Sequence, residues 1–227
     1  MSKKLDIKKM VTMSMLCAMA YTVTVVFRIS VVPGHEYLKY DLKDVVLLIG
    51  GFLYGPLYAF MMSVVVSVLE MLSVSADGWV GCIMNIVSSC SLICTASFVY
   101  SKRKTLGGAI LGLVIGVVAV TGMMTLWNYI VTPLYRGFPR SVVVPLLLPV
   151  FAAFNFFKGG LNAIISVLLF KPIVSALHKA ELIEPPIVGT RSTVMKWVFI
   201  GVGAAVAITV LFAVLKFDLS LFASKGD

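Results

Sequence analysis

Apolar runs of about twenty residues recur along this chain, separated by short polar stretches, and no other feature limits the fold so tightly. A helix crossing the hydrocarbon core of a bilayer needs roughly 20 apolar residues. The composition agrees: 60% of the residues are hydrophobic and 13% charged, with a mean hydropathy of +1.03, whereas a soluble domain carries about 25% charged residues. An all-α membrane protein is therefore expected. With 227 residues, no more than about seven spans fit, which leaves no room for a second, soluble domain.

A net charge of +9 would suggest nucleic acid in a soluble protein. Here the basic residues fall mostly in the short stretches between apolar runs, which is the topological bias of membrane proteins, so no nucleic-acid partner is expected. The opening "MSKKLDIKKMVTMSMLCAMAYTVTVVF" has a basic head, but its apolar run goes on with no small-residue cleavage site, and it reads as a retained first helix. Cys17, Cys82, Cys90 and Cys94 all lie in apolar runs without a CxxC or Cys/His cluster, and read as small apolar filler. His35 and His178 are far apart, and no metal site is expected.

The first span runs roughly from Met10 to Val32, broken late by Arg28 and closed by Pro33-Gly34. After the polar "HEYLKYDLKD", the run "VVLLIGGFLYGPLYAFMMSVVVSVLEML" is too long for one helix and reads as a short helix, a tight turn at Gly55-Pro56, and another helix. Further spans are expected over about 80–100, about 109–131, and from Pro145 or Pro149 to Leu177. Residues 181–194 read as a linker, 195–217 as an additional C-terminal transmembrane helix, and 218–227 as a tail, beyond a membrane domain of 1–180. Threading the chain with its amino terminus inside places Lys3, Lys4, Lys8, Lys9, the "KRK" at 102–104 and the stretch from His178 to Lys196 on one side. That basic excess predicts a multi-pass cell-membrane protein with a cytoplasmic amino terminus.

Within "AAFNFFKGG", Asn155 and Lys158 are three residues apart, about 300° of helical rotation, so both project from nearly the same face. Taken alone, Lys158 fits a snorkelling interfacial lysine as well as a buried one. An amide cannot snorkel, and Asn155 beside it supplies a donor and an acceptor. Asn128, in "WNYI", lies at matching depth in the preceding span, so two amides and one ammonium converge on one outward-facing pocket, with Trp79, Trp127, Tyr129 and Phe154 nearby. An aromatic belt at a membrane interface would give the same enrichment. Asp41 and Asp44 read as residues of an outside loop, and Glu70 as a helix-end glutamate at the outer surface, with a buried functional carboxylate as the alternative. No HExxH, GxSxG, Walker sequence or catalytic carboxylate pair is present, so the chain reads as no enzyme and as needing another source of energy for uphill transport. Ser14, Ala18 and Thr22 recur every fourth residue, which suits either close packing within the chain or a partner helix.

The segments "YLKYDLKDVVLLIGGFLYGPLYA", "GWVGCIMNIVSS", "WNYIVTPLY" and "FNFFKGGLNAIISVLLFKPI" resemble the riboflavin-binding S components of energy-coupling factor (ECF) transporters, the RibU family, over about residues 8–178. The "LKYDLKD...GGFLYGP" block is shared in looser form by S components for other vitamins, while "WNY" with "FNFFKGG" points to riboflavin. The resemblance implies a six-helix S-component bundle that captures riboflavin as a transported ligand, with no cofactor of its own. It implies docking on a transmembrane coupling protein and two ATPase subunits. Carried over by position, Asn128, Asn155 and Lys158 would bond the polar edge of the isoalloxazine ring. Residues from Leu38 to Asp44, Tyr40 and Asp41 among them, would form a lid near the ribityl chain. Trp79 and Asn85 of the "GWVGCIMNIVSS" segment would join the site, and Ser14, Ala18 and Thr22 would meet the coupling protein. Two departures stand out: relatives often carry a lysine-bearing segment where this chain has "SVLEML", and the apolar run after 195 exceeds the six-helix pattern. Another vitamin or a flavin such as thiamine or FMN stays open as ligand, as does a membrane scaffold whose polar cluster only ties helices together.

Overall fold

The first apolar run folds as α1 (Ile7–Val26), which stops well before the expected Val32. Beyond it the chain turns: Arg28 donates from Nη1 to the Val74 carbonyl at 2.8 Å, and β1 (Ile29–Ser30) pairs antiparallel with β2 (Lys39–Tyr40). A two-residue ribbon is made by pairing across the chain and leaves no periodicity in the sequence. The computed structural model describes residues 7–32, 38–75 and 77–183. Residues 184–194 of the expected linker, the expected helix at 195–217 and the tail lie outside the described residues.

The long run after the ribbon divides as its Gly-Pro pair predicts, into α2 (Lys43–Tyr54) and α3 (Pro56–Ser73). Gly55 takes φ of +96°, a conformation that favours glycine, and Pro56 opens α3, where its missing N–H has no helical partner to lose. Every residue from Lys43 to Gly51 is buried, because α1, α3, α4 (Gly78–Lys102) and the last helix all pack on α2. A helix enclosed on all sides has no solvent stripe, which is why its pattern reads as uniformly apolar.

Next comes α5 (Leu106–Arg136), packed most extensively on α4, with Gly112 and Gly116 at the contact. A Cβ at Gly112 would meet the Ala96 carbonyl oxygen at 2.6 Å, and one at Gly116 the Leu92 carbonyl oxygen at 2.7 Å. Such small residues let membrane helices approach backbone to backbone. Gly112→Val should therefore destabilise the bundle by about 1–3 kcal/mol, seen as a lower midpoint in thermal size-exclusion profiles. Gly122→Val, facing open space, should leave the midpoint unchanged.

The last run among the described residues spans Arg140 to Lys179 as α6 (Arg140–Leu146), a π-helical segment (Leu147–Ala152) and α7 (Ala153–Lys179). It begins earlier than the expected Pro145 or Pro149 because the helix accommodates both prolines. Each removes an N–H donor, and the wider π turn around Pro149 absorbs the break and shifts the register of α7. On α7 the buried positions Asn155, Lys158, Asn162 and Ser166 recur at helical spacing, giving an inward polar stripe.

Five helical runs among the described residues are long and apolar enough to cross a membrane; α2, the sixth element of the bundle, is shorter and sits inside it. Leu16, Leu47, Leu48, Met62, Ile93 and Val117 lie in the central core. Large apolar side chains such as Leu57, Val118, Leu148 and Phe156 point outward, as an all-α membrane protein facing lipid requires. A smaller cluster of Leu38, Val143, Val150, Phe151 and Phe154 packs the start of the last run against the chain entering β2.

Candidate binding site

Polar side chains collect at the end of the bundle where α2 and α4 begin and α3 and α5 finish. They enclose a cleft with about 570 Å³ of empty space, its open mouth included. Asn85 and Met84 come from α4, Asn128 and Met124 from α5, and Phe154, Asn155 and Lys158 from α7. Leu38, Lys39 and Asp41 close one side, and Arg28, Ser75 and Asp77 stand at the rim.

The amides are held by their own helices. Asn155 Nδ2 donates to the Phe151 carbonyl at 2.8 Å and Asn128 Nδ2 to the Met124 carbonyl at 2.7 Å, while Thr132 donates its hydroxyl to Asn128 Oδ1 at 2.9 Å. Each amide group has two donors and a two-lone-pair acceptor, so both keep bonding capacity for a ligand.

Lys158 does not snorkel. Its Nζ donates to Asp41 Oδ2 at 2.7 Å, the two side chains being 11% and 6% exposed. Burial pushes the Asp41 carboxyl up, but the ammonium groups of Lys158 and Lys43 outweigh it and hold the carboxyl below the usual range. Its Oδ1 is buried and without a hydrogen-bond partner. Behind this pair, Tyr40 donates to Asn162 Oδ1 at 3.0 Å and Asn162 Nδ2 to the Asp41 carbonyl at 3.2 Å. Burial, then the charges of Asp41 and Asp44, push the Tyr40 phenol well up, so it stays a donor.

Under the cleft lies a second ionic group. Lys43 Nζ reaches both Glu70 oxygens at 2.8 and 2.9 Å, with both side chains 1% exposed. Asn85 Nδ2 donates to Glu70 Oε2 at 2.8 Å, and Ser89 donates to Asp44 Oδ1 at 2.6 Å.

Of the residues expected at the site, Leu38, Asp41, Asn85, Asn128, Asn155 and Lys158 line the cleft together. Tyr40 does not line it, since its hydroxyl turns to Asn162. Trp79 does not either: it lies in the first turn of α4 with 67% of its surface exposed, facing away from the bundle. Glu70 is no surface residue, and Asp41 and Asp44 are no solvated loop carboxylates. All three are buried because a lysine or a hydroxyl meets each of them. Asn162 was missed, although its place four residues after Lys158 continues the inward face. Ser14, Ala18 and Thr22 are exposed along one face of α1, and none of the described residues buries them.

Comparison with known proteins places this fold. A family model for the substrate-specific component of ECF transporters matches residues 8–174. The riboflavin transporter RibU of Staphylococcus aureus (strain TCH60) is 28% identical over 183 residues, covering 76% of this chain and 93% of that protein. The riboflavin transporter FmnP of Bacillus subtilis (strain 168) is 28% identical over 195 residues, 78% of this chain and all of that protein. A solved structure of the S component of a bacterial ECF transporter superposes with a TM-score of 0.63 at 28% identity, over 75% of this chain and 97% of that one.

Proposed function

The chain belongs to the family of substrate-specific components of ECF transporters, and from that premise we propose that its cleft captures riboflavin for uptake. The observation that carries this reading is the meeting of Asn128, Asn155 and Lys158, from two helices, in one cleft with bonding capacity to spare. The imide edge of an isoalloxazine ring presents acceptor, donor and acceptor, a sequence that two amides and an ammonium match. Met84, Met124, Phe154 and Leu38 supply apolar wall for the dimethylbenzene edge. The relatives named as riboflavin transporters support the same ligand.

In this reading the cleft opens outside. The opposite end of the bundle carries Lys8, Lys9, Lys102, Arg103, Lys104, Lys171 and Lys179, the basic excess of a cytoplasmic face, with the amino terminus on that side. The chain itself performs no chemistry on the vitamin and holds no cofactor. A transmembrane coupling protein meets the exposed Ser14, Ala18 and Thr22 face of α1, and two ATPases drive the cycle.

Growth of a riboflavin-auxotrophic host lacking its own transporter tests this. Expression of the chain with a coupling protein and its two ATPases should restore growth on limiting riboflavin. The chain without that module should not. Failure of the complete set, with the protein present in the membrane, would sink the transport assignment.

A further inference from the structure

A lysine and a glutamate that are each 1% exposed need an explanation, because a buried ion pair adds little stability over an apolar pair of the same volume. Lys43–Glu70 joins the start of α2 to the end of α3, but methionine and leucine would do that too. Its third partner is Asn85, whose Nδ2 donates to Glu70 Oε2. An ionised carboxylate only accepts, so Asn85 must turn its nitrogen to Glu70 and cannot flip. Asn85 also lines the cleft, and the constraint leaves its Oδ1 as an acceptor there.

We propose that the Lys43–Glu70 pair is a positioning device that fixes Asn85 as an acceptor, and that Asn85 so held selects a flavin carrying a hydroxylated chain. The inference rests on the riboflavin reading. There Asn128, Asn155 and Lys158 take the imide edge, and the ligand donors left for an acceptor at Asn85 are the hydroxyls of the ribityl chain. Glu70 touches no ligand and acts through Asn85.

Fluorescence-quenching titrations with riboflavin and with lumiflavin, which has the same ring and no hydroxyls, test the assignment. Wild-type protein should prefer riboflavin. Lys43→Met/Glu70→Met, monodisperse on gel filtration, should lose about tenfold of that preference while binding lumiflavin as before. Asn85→Ala should lose a similar factor, and adding it to the double variant should lose nothing more. If the double variant does not fold, Lys43→Gln/Glu70→Gln leaves no buried charge, frees the Asn85 amide to turn, and should show the same selective loss. Equal weakening for both flavins would mean a structural role and overturn the inference, as would an unchanged preference in a folded variant. Wild-type protein that binds both flavins equally overturns this inference alone; binding of neither overturns the riboflavin reading along with it.

Discussion

Lys158→Met is expected to lower riboflavin affinity by a hundredfold or more, about 3 kcal/mol, because two losses coincide. The ammonium leaves the cleft where the imide edge binds, and Asp41 loses its partner. A carboxylate at 6% exposure is then left with only the charge of Lys43 near it, and a buried charge that loses its ion-pair partner destabilises by about 3–5 kcal/mol. Part of the variant should consequently fail to fold, and affinity has to be read on the monodisperse fraction. Asp41→Leu/Lys158→Met separates the two effects. With both charges gone, thermal stability should return close to wild type, while binding of lumiflavin, which reads the imide edge without the ribityl chain, should not. If binding returned with stability, Lys158 would be a structural partner of Asp41 rather than a ligand group.

The second large effect concerns stability. Lys43→Met alone leaves Glu70 charged at 1% exposure, with only the Asn85 amide to meet it, and should destabilise the bundle by about 3–5 kcal/mol. Glu70→Met alone, which strands the lysine, should do the same. The double replacement should come within about 1 kcal/mol of wild type, since well-packed apolar residues often replace such a pair without loss. Unfolding by SDS titration in mixed micelles, followed by tryptophan fluorescence, measures all three. Additive losses in the double variant would show that the two residues do not act as a pair. This pattern differs from that at Arg136 and Asp77, whose 2.7 Å pair at the rim is 33% and 19% exposed. A pair so open to solvent contributes at most about 1 kcal/mol.

The same contrast explains what could be read from sequence. Helices of lipid-facing length announce themselves by hydropathy, and the Gly55-Pro56 break is local chemistry, so the division into α2 and α3 was legible. Asn155 and Lys158 were legible as inward residues because an amide gains nothing from lipid and three-residue spacing puts both on one face. The partners were not. Asp41 and Lys158 are 117 positions apart and Lys43 and Glu70 are 27, and nothing local shows that a lysine in "YDLKD" and a glutamate in "SVLEML" will be buried against each other. Each alone reads as an interfacial charge, the commonest place for such residues near helix ends. Trp79 failed in the opposite direction. Its position beside the site segment suggested the cleft, but at the start of α4 a one-residue step is about 100° of rotation, enough to turn a ring from the interior to the outer face. The early end of α1 was hidden for a related reason, since β1 exists only through its pairing with β2.

The central claim is that the polar cluster at the head of the bundle is a riboflavin site, and a titration of the detergent-purified wild-type chain with riboflavin tests it most directly. Tight, saturable quenching of flavin fluorescence at one ligand per chain, with no response to thiamine, is the predicted result. A monodisperse, folded protein that leaves flavin fluorescence unchanged would contradict it, and would return Asn128, Asn155 and Lys158 to another vitamin or to holding the helices together.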